Sequence, residues 1–275
     1  NAGDRNTGHW NTDNLVLTEI KKLIPEGSQI ELLVQSHSDS DHLGATDEIC
    51  DAYKVKRILH TGMVRDTLTW SDADAAIRAE KTNDHAINID LSYFEFPPGA
   101  TYRFGDVFVT MVFGVGRPLE EWSNDNLSLS EERNAVSIVL RLQYDGKSVL
   151  LCGDSVGRHI GDEEDTCIAA EKIMVENSVV IPIDSDVMIA PHHGADNGSS
   201  KRFIQAVSPE FVVFSAGHDY EHPRRATAER YLAHGVKREN MFRTDLGDNE
   251  GDDEWSHGNT ASSDGAGDDT VDILL

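Results

Sequence analysis

The chain is 275 residues long, 39% apolar, and carries 49 acidic against 24 basic side chains, for a formal charge of -25. That length supports one large α/β domain spanning 1–275, and no repeat or second composition regime divides it. The acidity repels polyanions at long range, which counts against tight nucleic-acid binding, and no apolar run reaches the roughly 18 residues that a membrane-spanning helix needs.

Cys50, Cys152 and Cys167 are odd in number and fit no Cys-x-x-Cys pattern, which argues against a disulfide framework or a thiolate zinc site and favours a reducing, cytoplasmic compartment. The chain opens at Asn1-Ala2-Gly3-Asp4 with neither a methionine nor a recognisable signal peptide, as a truncated or processed start would.

In chain order, helical spacing predicts a first helix from Leu15 to Ile24, closed by Pro25-Glu26-Gly27. A buried strand is expected over Ile30 to Gln35 and a helix over Leu43 to Tyr53. Val55 to Leu59 reads as a strand, Ser71 to Lys81 as a helix, and Tyr102 to Phe113 as a hairpin turning at Gly105-Asp106. Gly114 to Arg133 follows as a long polar connection.

Ala135 to Leu142 and Lys147 to Cys152 read as a second hairpin around Tyr144-Asp145-Gly146. His159 is expected on a helix. Further strands are expected at Val187 to Ala190, Phe211 to Ser215, Met241 to Thr244 and Val271 to Leu275, with helices at Lys201 to Val207 and Arg225 to His234. The segment from about 245 to 270 is rich in Asp, Gly, Ser and Asn, and reads as a mobile acidic loop.

Between the strand ending at Gln35 and the helix beginning at Leu43 lies Ser36-His37-Ser38-Asp39-Ser40-Asp41-His42, two imidazoles and two carboxylates within six residues. Neutral imidazole nitrogen and carboxylate oxygen are the usual donors to zinc, manganese and iron, and a loop lets near neighbours point at one or two ions. Without a cation Asp39 and Asp41 would repel each other. The plainer reading is a polar turn in which Asp41 caps a helix and the histidines are incidental.

Other polar groups recur in the same setting. Asp154 follows the strand ending at Cys152, Pro191-His192-His193-Gly194 follows Val187 to Ala190, and His222-Pro223 comes soon after Phe211 to Ser215. A sheet would bring these strand ends to one edge, where ligands of α/β proteins gather.

Together these residues resemble the metallo-β-lactamase-fold hydrolases, and within them the hydrolase domain of ComEC-type DNA-uptake competence proteins. The likeness rests on Ser36 to Gly44, Asn134 to Leu140, Leu151-Cys152-Gly153-Asp154, Pro191 to Gly194 with Ser199-Ser200, and His222-Pro223, five motifs in the family's order.

The resemblance implies a four-layer αββα sandwich and two divalent metal ions, zinc or manganese with magnesium as a further candidate. It places His37, Asp39 and Asn134 at one metal, Asp41, His42 and His222 at the other, and Asp154 between them. His192 and His193 then face the substrate as a phosphate contact or proton donor.

Two positions depart from the wider superfamily, which more often has histidine where this chain has Asp39 and Asn134. Oxygen donors there shift preference from zinc toward manganese or magnesium. The resemblance also places the family's first β-hairpin and Asp-Gly turn ahead of the segment at Asn1, so the expectation is a domain whose first hairpin is missing from this sequence.

The expected activity is metal-dependent hydrolysis by a hydroxide bridging the metals, with Asp41, Asp154, His192 and His193 as catalytic residues and a phosphodiester or nucleic acid as substrate. The alternatives are hydrolysis of a small ester, lactone or lactam, which suits the acidic surface, and a metal-poor binding module that has lost turnover.

Overall fold

The computed structural model describes residues 15–93, 97–217, 220–246, 251–258 and 270–275. The chain falls into two compact units, one spanning 1–95 with 115–117 and the other 96–114 with 118–275. Both mix helix and strand, as the sequence predicts.

In the first unit, α1 (Leu15–Leu23) is followed by β1 (Gln29–Ile30), β2 (Leu33–Val34), α2 (Ser40–Leu43), α3 (Thr46–Ala52), β3 (Lys54–Val55), β4 (Arg57–His60), α4 (Leu68–Asn83) and β5 (Ile87–Asp90). The run expected as one strand over Ile30 to Gln35 is divided: β1 pairs in parallel with β3, while β2 joins the parallel sheet β2-β4-β5.

Apolar spacing explains the packing. Leu17 and Ile20 of α1 meet Ile49, Ala52 and Tyr53 beside Ile30 and Leu33, and Ile77 of α4 packs on Val55 and Ile58. Helix α4 is capped at Thr67, whose hydroxyl accepts from Trp70 N, so it starts at Leu68, ahead of Ser71.

The second unit holds β6 (Thr101–Phe104), β7 (Val107–Phe113), α5 (Leu129–Ala135), β8 (Val139–Tyr144), β9 (Lys147–Leu151), α6 (Ala169–Asn177), β10 (Val187–Ile189), α7 (Lys201–Val207), β11 (Phe211–Phe214), α8 (Arg225–Ala233) and β12 (Met241–Arg243). The strands form one seven-stranded sheet in the order β12-β11-β10-β9-β8-β7-β6. Strands β6 to β9 are antiparallel neighbours, and β9 to β12 run parallel.

Asp145 and Gly146 both have positive φ, 46° and 77°, the backbone that a two-residue hairpin between twisted strands requires. Phe214 of β11 meets Tyr231 of α8 edge-on at 5.7 Å between ring centroids and Trp255 at 6.0 Å, which ties the parallel half of the sheet to its helix and to the chain beyond β12.

Several expectations change. The polar connection from Gly114 to Arg133 runs into helix α5, closed at its start by a reciprocal capping box between Ser128 and Glu131, so Ala135 ends a helix and the strand begins only at Val139. Val271–Leu275 forms no strand, although it is apolar. His159 lies outside any helix, its Nε2 2.6 Å from the Asp125 carbonyl and its Nδ1 3.4 Å from Glu131.

Much of the segment expected as an acidic loop lies outside the described residues. Within its described parts Asp245, Glu254 and Trp255 are buried, and both carboxylates pair with the buried Arg243 guanidinium, whose charge explains their tolerance of burial. All three cysteines are free thiols. Among the described residues no helix is long and apolar enough to cross a membrane.

Candidate metal centre

In the first unit, the chain leaves β2 through Gln35, whose buried amide donates to Thr46 Oγ1, and then runs through the His/Asp cluster into α2. The Ser36 hydroxyl lies 3.2 Å from His37 Nδ1 and 3.0 Å from His42 Nδ1, and the two rings sit 4.2 Å apart. One serine thus sits against the same nitrogen, Nδ1, of both imidazoles.

Asp41 Oδ2 stands 3.6 Å from His42 Nε2. Asp39 occupies the cap position of α2 without making a capping bond, and its carboxylate pairs instead with the Arg65 guanidinium. The plainer reading puts Asp41 at the cap, but Asp41 lies inside the first turn of α2, and the residue that does stand at the cap makes no side-chain bond to the helix backbone.

In the second unit, register does the gathering. Leu151 of β9 pairs with Ile189 of β10, which pairs with Val213 of β11, so the carboxyl ends of three parallel strands lie side by side. Asp154, His192-His193 and His222 all leave from that edge, as the sequence predicts.

The buried Asp154 carboxylate lies 3.7 Å from His192 Nε2 and 3.5 Å from His193 Nε2, and its backbone N–H donates to Ser137 Oγ. His193 Nδ1 donates to the Ser215 carbonyl at 2.5 Å. His192 Nδ1 donates to Asn197 Oδ1 at 2.6 Å, while its Nε2 accepts from Asn134 Nδ2 at 3.1 Å. Both rings therefore keep a proton on Nδ1 and turn Nε2 toward the carboxylate.

Lone pairs facing a carboxylate at that range call for positive charge, either a bound cation or an imidazolium proton. Asn134, at the end of α5, spends its amide N–H on His192 and leaves its buried Oδ1 without a hydrogen-bond donor, the state of an oxygen ligand awaiting a cation. The donor set fits a divalent metal.

His222 completes this cluster. Its ring stacks on His193 at 6.3 Å and 13° and meets His192 edge-on at 5.8 Å. Burial, reinforced by His192 and then His193, pushes its pKa down to about 3, so it stays a neutral donor.

The loop bearing His192 and His193 has left-handed backbone at three successive residues, with φ of 50°, 58° and 84° for His192, His193 and Gly194. At Gly194 a Cβ would come within 2.6 Å of Pro223 and 2.7 Å of Phe214, so only glycine serves there. Such backbone persists only if its surroundings over-determine it.

Here His192 N donates to the Gly153 carbonyl and Arg224 N to that of Gly194, and the chain just beyond is pinned as well: buried Glu171 on α6 accepts from Ser199 N at 2.6 Å and Ser200 N at 2.8 Å, and Arg230 on α8 donates to the carbonyls of Asp196, Gly198 and Ser199. Burial raises the Glu171 pKa, partly offset by those bonds. Neither residue carries a local sequence signature, whereas the capping box that sets Asn134 was legible as Ser128-x-x-Glu131.

Comparison with known proteins gives these clusters a family. The chain is 33% identical over 123 residues to "Competence protein ComA" of Neisseria gonorrhoeae, covering 41% of this chain and 14% of that protein. It is 26% identical over 220 residues to "ComE operon protein 3" of Bacillus subtilis (strain 168), covering 79% and 24%. The chain thus spans about a quarter or less of the length of these relatives.

Among solved structures, CmlA, a diiron beta-hydroxylase from Streptomyces venezuelae, aligns at 15% identity with a TM-score of 0.46 over 80% of this chain and 44% of that one. The metallo-beta-lactamase fold protein YhfI from Bacillus subtilis aligns at 15% identity with a TM-score of 0.40, covering 73% and 70%. Because the family profile spans residues 7–218, well over half of its length, the chain belongs to the metallo-beta-lactamase superfamily, with the αββα fold class of that family and a resemblance to its competence-protein branch.

Proposed function

We propose that the chain is a metal-dependent phosphodiesterase or nuclease, with His37, Asp39, Asp41, His42, Asn134, Asp154 and His222 as metal ligands. The observation that carries this reading is the presentation of imidazole Nε2 atoms to the Asp154 carboxylate, both rings held in that tautomer by bonds at Nδ1. His193 has the same ligand-like arrangement and joins the candidate set. Two divalent cations, zinc or manganese with magnesium as the third candidate, would supply an activated water and offset charge on the attacked group.

The protein's own groups do the rest. Asp154, its backbone pinned by Ser137, orients the attacking water by accepting its hydrogen bond, and Asp41 aids from the first turn of α2. His192, held at Nδ1 by Asn197, would in its protonated form carry a proton from Nε2 to the leaving oxygen, giving up the bond that Nε2 accepts from Asn134. His193, anchored at Nδ1 on the Ser215 carbonyl, presents Nε2 beside Asp154 as a further candidate ligand.

A phosphodiester is favoured because the motifs and the curated relatives point to competence proteins. The net charge of -25 favours a second reading, hydrolysis of a small uncharged ester or lactone, because such a substrate is not repelled.

One experiment separates them. Protein purified without added ions is assayed for metal content and then, with manganese, for cleavage of bis(para-nitrophenyl) phosphate, single-stranded DNA and a simple lactone. Phosphodiester cleavage is expected; strong metal uptake with no phosphodiester cleavage overturns the proposal.

A further inference from the structure

The first unit contains a cavity of about 300 Å³ on the side of α4 that faces the carboxyl ends of β4 and β5. That volume is at the lower end of the range of small-molecule sites, roughly 300–1,000 Å³. The carboxyl ends of parallel strands are where α/β folds bind ligands. Gln35 and Leu43, which flank the His/Asp loop on either side, also line it, so the cavity adjoins that loop within one unit.

Its chemistry differs from the rest of the surface. The whole chain carries about two acidic groups for each basic one, but the cavity lining has two of each, Asp74 and Asp90 against Arg78 and Lys81. Asp74 pairs with Arg78 at 2.7 Å, and Asp90 Oδ1 accepts from Ser92 N and Oγ, which leaves Lys81 as the lining cation that no lining carboxylate matches.

His60 Nε2 donates to Asn88 Oδ1 at 2.7 Å. That bond consumes the amide's acceptor and the ring's donor, so the pair has an amide N–H and an imidazole lone pair still to offer, the complement of a nucleobase edge. Trp70 and Tyr93 add aromatic surface, and the lining residues Tyr93 and Val64 are both more than half exposed.

We infer that this cavity is a nucleoside subsite: it takes the sugar and base of the nucleotide whose phosphate lies at the His/Asp loop. The inference rests on the phosphodiesterase reading above and names its substrate class as a nucleotide ester. Stacking on aromatic surface accounts for sequence-tolerant base binding, and Asn88 with His60 supplies the hydrogen bonds.

The phosphate end falls to Arg65. Its loop, between β4 and α4, contributes Gly62 and Val64 to the cavity, while its guanidinium reaches the Asp39 carboxylate. Arg65 therefore stands beside the cavity wall on the same loop and reaches one candidate ligand, and a planar guanidinium suits phosphate oxygens.

The test compares two substrates in the manganese-loaded protein: the para-nitrophenyl ester of thymidine monophosphate and methyl para-nitrophenyl phosphate, whose methyl group is too small to fill the cavity. The wild type is expected to favour the nucleoside ester by about tenfold or more in kcat/KM, the scale of one base contact. Asn88→Ala and the surface change Lys81→Ala should erase most of that ratio, whereas Arg65→Met should lower both substrates together.

Equal use of the two esters by the wild type, or a ratio unchanged in both cavity variants, overturns the subsite. If neither ester is cleaved, the phosphodiesterase reading falls instead, and calorimetry with thymidine monophosphate still decides the cavity: binding weakened by Lys81→Ala supports it, and no binding removes it. Thermal melts of each variant separate loss of fold from loss of contact.

Discussion

The two imidazole clusters are built in opposite ways. In the first unit His37, Asp39, Asp41 and His42 come from one contiguous stretch, the end of the loop after β2 and the start of α2, and a single hydroxyl, Ser36, lies against both rings. In the second, Asn134, Asp154, His192, His193 and His222 arrive from four separate segments, and a buried network on α6 and α8 holds the loop that carries the His pair. A contiguous cluster needs little beyond local folding, while a dispersed one costs the protein backbone strain and a dedicated scaffold.

The sharpest way to break this contrast is Asp154→Ala. It removes the carboxylate around which the dispersed cluster is arranged, so turnover should fall by about 10³-fold or more, the scale of losing a group at the reacting centre. Metal content, measured by elemental analysis, should fall with it. His159→Ala is the control: it loses bonds to Asp125 and Glu131 at a cost of roughly 1 kcal/mol, but metal content and turnover should persist. Equal losses in both variants would defeat the ligand assignment.

Legibility in the sequence follows the same division. The Ser36 to His42 cluster announces itself because donors adjacent in sequence are adjacent in space. Asp154, His192 and His222 were legible only as polar groups at strand ends, and parallel register then aligned those ends. Glu171 and Arg230 were not legible, because a carboxylate on a helix reads as solvated until the fold places the N–H groups of Ser199 and Ser200 against it.

The same limit explains Arg65, whose partner Asp39 lies 26 residues away. Secondary structure failed where local pattern and context diverge. The apolar run Val271 to Leu275 resembles a strand, yet the seven-stranded sheet ends at β12. At α5 the polar face hid a helix whose capping box was the available signal.

Glu171→Gln tests the scaffold rather than the ligands. One carboxylate oxygen accepts from each of two backbone N–H groups, and an amide can replace only one of them, so about 1–3 kcal/mol of stability should be lost. For a chain of this size the melting temperature should fall by roughly 2–4 °C for each kcal/mol. Activity should fall through displaced His192 and His193 while the first cluster stays intact. A variant with unchanged melting temperature would show that the strained loop holds itself.

Charge acts on both units alike and gives a smaller, general effect. At -25 the folded chain repels itself, so added salt should raise the melting temperature until screening saturates. The same screening should aid or leave unchanged the cleavage of single-stranded DNA at moderate salt. A steep loss of DNA cleavage over that range would reveal a basic contact surface and weaken the view that acidity limits access.

The smallest expected effect lies on α3, in the unit with the contiguous cluster. Burial, with help from Asp47, raises the Glu48 pKa to about 7. A carboxylate whose folded pKa exceeds its unfolded value stabilises the fold below the unfolded value, and that contribution is lost as pH rises through about 7. Glu48→Gln keeps the shape without the charge, so its melting temperature should exceed that of the wild type at pH values above 7 and approach it near the ordinary carboxylate pKa. A gain independent of pH would trace the effect to packing, and the charge-sensitive side of the comparison would then rest on the second unit alone.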